Sequence, residues 1–168
     1  MKLTVMHEPV GQPRGRSRVL ILPAPKGTQS PPHRRLFNIK GQEVSVRATV
    51  YDDDEHPVNA FKAAIVEAAK AAGVTPSDKP ITLTYTAVFP RPLSMVWKKK
   101  PMPRVLHTKK PDIDNVQKAI QDALTGIAWT DDAQVCGMLN PRKWIAAGGE
   151  EPHVEIEWYE EEEHGIPF

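Results

Sequence analysis

Asp112-Ile113-Asp114-Asn115-Val116-Gln117-Lys118-Ala119-Ile120-Gln121-Asp122-Ala123-Leu124-Thr125-Gly126-Ile127 is the stretch on which the fold turns. At about 100° per residue, Ile113, Val116, Ile120, Ala123, Leu124 and Ile127 fall within roughly one third of a helical circumference, an apolar stripe made for burial. Asp114, Lys118, Gln121 and Thr125 line the opposite side. Gly126 is a natural stop. The spacing predicts a helix over 112–127 that docks on a sheet and holds Asp114 and Lys118 one turn apart, clear of the core.

Outward from this helix, Lys2 to Met6 alternates and reads as a strand. Val44 to Tyr51 is rich in β-branched residues and reads as a second. Val58 to Ala72 is Ala-rich with helical apolar spacing, and Gly73 ends it. Ile81 to Phe89, Gln134 to Leu139 and Val154 to Trp158 read as further strands. The order β-β-α-β-α-β-β predicts an α/β (α+β) architecture, a mixed β-sheet with two main helices packed on it. Of seventeen prolines, eleven punctuate 9–32 and 90–111, which read as loops or arms. A chain of 168 residues is expected to form a single domain over 1–168, with an acidic, solvated tail over 160–168.

A net charge of +1 says little about partners, but its distribution says more. Residues 1–50 hold nine Lys or Arg against two acids, and residues 86–111 hold seven against none. One cysteine, Cys136, excludes an intrachain disulfide and a Cys-rich zinc site. It is expected to lie buried in its strand. No apolar run approaches a membrane span or a signal peptide, so an intracellular, reducing compartment is expected.

The acids follow the second basic stretch directly. Asp112 and Asp114 flank Ile113, and Asp131-Asp132 follow within the same short region. Each has a structural reading: a helix cap, an ordinary Asp114–Lys118 pair, a turn. Together they invite another. From Asp114 to Leu124 a helix rises about 15 Å, and the residues from Leu124 to Asp132 span at most about 26 Å. Asp132 can therefore return to the helix N-terminus if Gly126 permits a reversal. Asp112, Asp114 and Asp132 would then share one or two Mg²⁺ ions, with Lys118 acting on a phosphate. All-oxygen ligands favour Mg²⁺ over Zn²⁺.

Pro111-Asp112-Ile113-Asp114-Asn115-Val116-Gln117-Lys118, Asp122-Ala123-Leu124 and Asp131-Asp132-Ala133-Gln134-Val135 resemble the signature of the RusA family of Holliday-junction resolvases of phages and prophages. Gly11-Gln12-Pro13-Arg14-Gly15-Arg16-Ser17-Arg18 is similar to the opening of some members. Arg142-Lys143 matches a basic pair before their final strand. The Pro-Pro-Ser-x-Asn start of many members is missing. The resemblance implies a homodimeric, Mg²⁺-dependent endonuclease, with Mn²⁺ able to substitute, that nicks two opposed strands of a four-way DNA junction in recombination and repair. It places the metal-binding acids at Asp112, Asp114 and Asp132, with Asp131 as a further candidate, and the essential lysine at Lys118. It implies action in the cytoplasm of a bacterial host, near the nucleoid. Asn115 and Asp122 match the motif too, with structural alternatives: Asn115 tying the loop, Asp122 pairing with Lys118.

Arg14, Arg16, Arg18, Lys98, Lys99, Lys100, Arg104, Lys109 and Lys110 are the candidates for DNA backbone contact, since no acid is interspersed among them in either basic stretch. Trp97 reads either as a packed loop aromatic or as a cover for bases at the junction point. Trp129, Trp144 and Trp158 read as core. His107 reads as an exposed bystander or an assistant at the site. Asp52-Asp53-Asp54-Glu55 reads as a solvated turn or a second cation site. Two rival functions are a junction-binding protein that does not cleave and an Asp-x-Asp nucleotide-sugar transferase. The intact acid quartet argues against the first, and the missing Gly-rich phosphate loop against the second.

Overall fold

In chain order the elements are β1 (Lys2–Val5), β2 (Arg16–Pro23), β3 (Leu36–Phe37), β4 (Glu43–Tyr51), α1 (Pro57–Ala71), β5 (Ile81–Phe89), β6 (Val105–Leu106), α2 (Ile113–Leu124), β7 (Val135–Met138), β8 (Arg142–Ile145) and β9 (His153–Glu160). The computed structural model describes residues 1–13, 16–23, 36–38, 40, 43–51 and 56–162. The chain divides into two compact units, one of Met1–Pro13 with Glu55–Phe168, the other Arg14–Asp54.

The larger unit is organised around β5. Strands β1, β9, β5, β8 and β6 lie side by side, and β7 also pairs with β5. The pairs β1–β9, β9–β5 and β8–β6 are antiparallel, whereas β7 and β8 run parallel to β5. The sheet is mixed, as expected. Ile81, Leu83, Tyr85, Ala87 and Phe89 recur at the strand period and join one core with Val154, Ile156 and Trp158 of β9. Phe61, Ile65 and Ala69 of α1 and Val116, Ala119, Ile120, Ala123 and Leu124 of α2 complete that core. Two amphipathic helices thus cover one face of the sheet.

The helix ends follow local chemistry. The His56 ring accepts from Val58 N at 3.1 Å, and Pro57 opens α1. Gly73, at φ +69°, ends it. Gly126, at φ +78°, turns the chain beyond α2; its N–H donates to Trp129 O at 2.7 Å. Trp129 is fully buried and stands edge-on to Trp158, with ring centroids 6.2 Å apart. Lys62 of α1 reaches Asp122 of α2 at 3.0 Å.

The smaller unit carries a three-stranded sheet in the order β2-β4-β3, and β2 pairs antiparallel with β4 from Arg16–Tyr51 to Pro23–Val44. Strand β2 lies in a stretch read as a loop. Its aliphatic core, Val19 to Leu22, is strand-forming, and the surrounding prolines hid it. Asp52–Glu55 lies outside the described residues.

Four further expectations are corrected. Ile113 is exposed rather than part of the buried stripe, because it is the first helical residue and lies past the edge of the core. Cys136 is exposed, because β7 turns Val135 toward the core and its neighbour away. Trp144 is only half-buried. Glu160, though exposed, closes β9 and pairs with Lys79 at 3.0 Å, so the chain leaves the sheet one residue later than expected, at the exposed Glu161 and Glu162.

Candidate active site

The N-terminus of α2 is fixed by backbone bonds from three directions. Tyr85, buried on β5, donates its hydroxyl to Ile113 O at 2.6 Å. Lys143 of β8 donates Nζ to Lys109 O at 2.8 Å and also to Pro111 O. Gln12 N donates to Asn115 O at 2.8 Å. Gly11 lies so close that a Cβ there would meet Pro111 Cβ at 2.6 Å and Asn115 Cβ at 3.1 Å. A buried Tyr needs a partner for its hydroxyl, and here the partner is the first turn of the motif helix.

The mount leaves the acids unused. Asp112 occupies the N-cap position, yet its carboxylate makes no capping bond. Asp114 sits in the first turn, where a negative charge complements the helix dipole. Both side chains are exposed. Asp114 lies near enough to Tyr85 to act on it: burial first, and then this carboxylate, hold the phenol above its usual ionisation range. One turn on, Lys118 is exposed and only 3.5 Å from Asp122 Oδ1, while Asp122 Oδ2 is taken by Lys62. The expected Lys118–Asp122 pair is present but loose. The Lys118 ammonium is thus open to another anion.

Asp131 and Asp132 lie at the other end of α2. The Asp131 carboxylate accepts from Ala133 N at 2.8 Å, and Gln134 Oε1 accepts from Asp131 N at 2.8 Å, a reciprocal cap on the single 3-10 turn Asp132–Gln134. Gln134 Nε2 also donates to Ser77 O at 3.0 Å and Lys79 O at 2.9 Å. These bonds, with Val135 opposite Ile81, tie the turn to the start of β5. Tyr85 holds the α2 N-terminus four residues further along that strand. The two acid pairs are therefore anchored at different places along β5, Asp131–Asp132 beside its start and Asp112–Asp114 beside Tyr85. Gly126 does reverse the chain, but the reversal is used to bury Trp129 under the helix C-terminus rather than to carry Asp132 back. Among the described residues no three His, Cys, Asp or Glu side chains gather closely enough to hold one ion.

The basic candidates divide. Lys98, Lys99, Lys100, Lys109 and Lys110 are exposed. Arg104, expected to lack an acid partner, is engaged: its guanidinium binds Glu150 and lies 3.5 Å from Glu155. Arg16 and Arg18 stand on β2, their side chains outside the described residues, as is Arg14. His107 is no solvent bystander. It stacks on Phe89 at 4.4 Å, and its Nδ1 is buried without a hydrogen-bond partner among the described residues. Tyr85, Gly11 and Gln12 belong to the site although none is part of the acid motif. Their signals were a Tyr inside a buried strand and a glycine just ahead of the basic arm.

The family model for endodeoxyribonuclease RusA matches residues 26–159 of the 168. The chain belongs to the RusA family. It is a crossover junction endodeoxyribonuclease, of a family that acts on Holliday junctions. The matched span holds the whole of α2, both acid pairs and Lys118, whereas the RusA-like opening at Gly11–Arg18 precedes it. None of the curated proteins matches the chain. No helix among the described residues is long and apolar enough to cross a membrane.

Proposed function

We propose that this RusA-family protein resolves four-way junctions by paired nicks in opposed strands, as a Mg²⁺-dependent homodimer. One observation carries the proposal: Asp112 and Asp114 are exposed carboxylates with no hydrogen bond or ion pair among the described residues, on a turn braced from three sides. Mg²⁺ is commonly held by one or two carboxylates, with water and phosphate oxygens completing its shell. This donor pair fits that habit, and Mn²⁺ would substitute. When bound, the ion supplies charge stabilisation at the phosphate and a more acidic water.

The chain's own groups divide the remaining work. Lys118, one turn below Asp114, steadies the negative charge that grows on the phosphate. Tyr85, Lys143 and Gln12 keep the acid turn in place. Asp132 is anchored at a different place along β5 in its own chain, so it completes the site from a partner protomer. A two-fold dimer does this twice, setting the end of each α2 that bears Asp132 against the end of the other that bears Asp112 and Asp114. Asp131 stays a capping residue. Two matched sites suit two opposed strands. Lys98, Lys99, Lys100, Lys109 and Lys110, with Arg14, Arg16 and Arg18, grip the duplex arms.

The test is a labelled four-way junction in Mg²⁺. The wild-type protein is expected to give symmetric nicks. Asp114→Asn is expected to retard the junction without nicking it, and Lys118→Ala to reduce turnover far more than junction affinity. Wild-type nicking by Asp114→Asn would contradict the proposal.

A further inference from the structure

The loop between β5 and β6 is held by hydrogen bonds at its base, yet its tip carries exposed apolar side chains. Arg91 closes its base, donating Nε to Ala146 O at 2.8 Å, Nη1 to Met95 O at 3.3 Å and Nη2 to Pro103 O. Within it, Leu93–Met95 forms a 3-10 turn, and Trp97 N donates to Met102 Sδ at 3.2 Å. Gly148 N donates to Met102 O at 2.8 Å and pins the loop from behind. On this frame Leu93 is 91% exposed, Val96 50% and Trp97 45%. Lys98, Lys99 and Lys100 follow, exposed and without ion pairs among the described residues.

The place of this loop in the fold matters. It leaves the C-terminal end of β5, the strand whose Tyr85 holds the first turn of α2. The segment after it returns through His107, stacked on Phe89 at the end of β5, and leads into Asp112. The apolar tip and the two open carboxylates therefore belong to the same end of the sheet.

We propose that this loop is a wedge for the branch point of the DNA, and this rests on the nuclease reading above. Leu93, Val96 and Trp97 press on base faces that the junction leaves open, while Lys98, Lys99 and Lys100 hold the flanking phosphates. Apolar side chains inserted at base steps unstack them, and aromatic stacking tolerates any sequence because every base has a π-face. A loop already folded around Arg91 loses little freedom on contact. Three adjacent ammonium groups beside the apolar tip favour a polyanion over an apolar protein surface.

The test uses full-length protein made inactive for nicking by Asp114→Asn. The probe is a four-way junction with 2-aminopurine at the branch point, whose fluorescence rises when it unstacks. The background protein is expected to raise that signal severalfold. Adding Leu93→Ser, Val96→Ser and Trp97→Ala, all at exposed positions, is expected to abolish the rise while junction binding weakens by no more than severalfold. An undiminished rise with the tip removed would overturn the wedge and leave the tip as a protein contact. Binding with no rise in either protein would overturn the wedge alone. Loss of binding with the tip removed would assign the loop to affinity and likewise overturn it. Failure of the background protein to bind any junction would sink the nuclease reading together with the wedge.

Discussion

The Tyr85 hydroxyl donates to the carbonyl of Ile113 at 2.6 Å, so the central strand of the sheet holds the first turn of the helix that bears Asp112 and Asp114. Tyr85→Phe keeps the ring in the core and removes this one bond. A bond of this kind is worth about 1 kcal/mol, and urea unfolding is expected to show a loss of that order. Single-turnover nicking is expected to slow, with junction affinity nearly unchanged. Wild-type nicking at reduced stability would show that the bond serves the fold alone.

Asp131 and Asp132 are adjacent but have different duties. Asp131 accepts from Ala133 N and caps a turn; the carbonyl of Asp132 accepts from Val135 N, but its carboxylate has no hydrogen bond or ion pair among the described residues. Asp131→Ala is expected to lower stability by about 1 kcal/mol, the usual cost of a lost cap, and to reduce nicking only modestly. Asp132→Asn is expected to leave the unfolding curve in place and abolish nicking. The reverse pattern would exchange their roles.

His107 links stability to pH. Burial first, and then the positive charges of Lys143 and Lys109, push its imidazole below the ordinary 6.5. The folded protein therefore resists protonation there, while the unfolded chain takes up the proton as pH falls through about 6.5. The contribution of the neutral ring is present above that value and declines below it, down to the lower folded pKa. Urea midpoints are expected to drop between about pH 7.5 and about pH 5.5, on either side of the unperturbed imidazole value. His107→Phe keeps a ring against Phe89 and is expected to flatten that slope. An unchanged slope would assign the pH dependence to other groups.

Most of the larger unit was legible in the sequence because its signals are local. The alternation of Ile81–Phe89, the stripe of Val116, Ile120, Ala123 and Leu124, and the glycines at 73 and 126 each act within a few residues. Strand β2 was missed because its prolines outweighed a short aliphatic run, and β8 because four residues with two charges carry little pattern. The acids of the site were visible as a motif, but their arrangement was not. Chain reach allowed Asp132 to return to Asp112, and only the burial of Trp129 and the anchoring of Gln134 to Ser77 and Lys79 decided otherwise. Tyr85 and Lys143 act through backbone carbonyls remote in sequence, which no spacing rule reveals.

The central claim is that each active site joins the Asp112–Asp114 end of one protomer to Asp132 of its partner. Mixing two inactive variants tests it most directly. In a dimer of Asp114→Asn with Asp132→Asn, a shared site would combine both lesions in one centre and leave the other intact. Each variant alone is expected to be inert on a labelled four-way junction in Mg²⁺. Their re-equilibrated mixture is expected to recover nicking, one strand at a time. A mixture as inactive as its parts, from variants that dimerise and bind the junction normally, would contradict the claim.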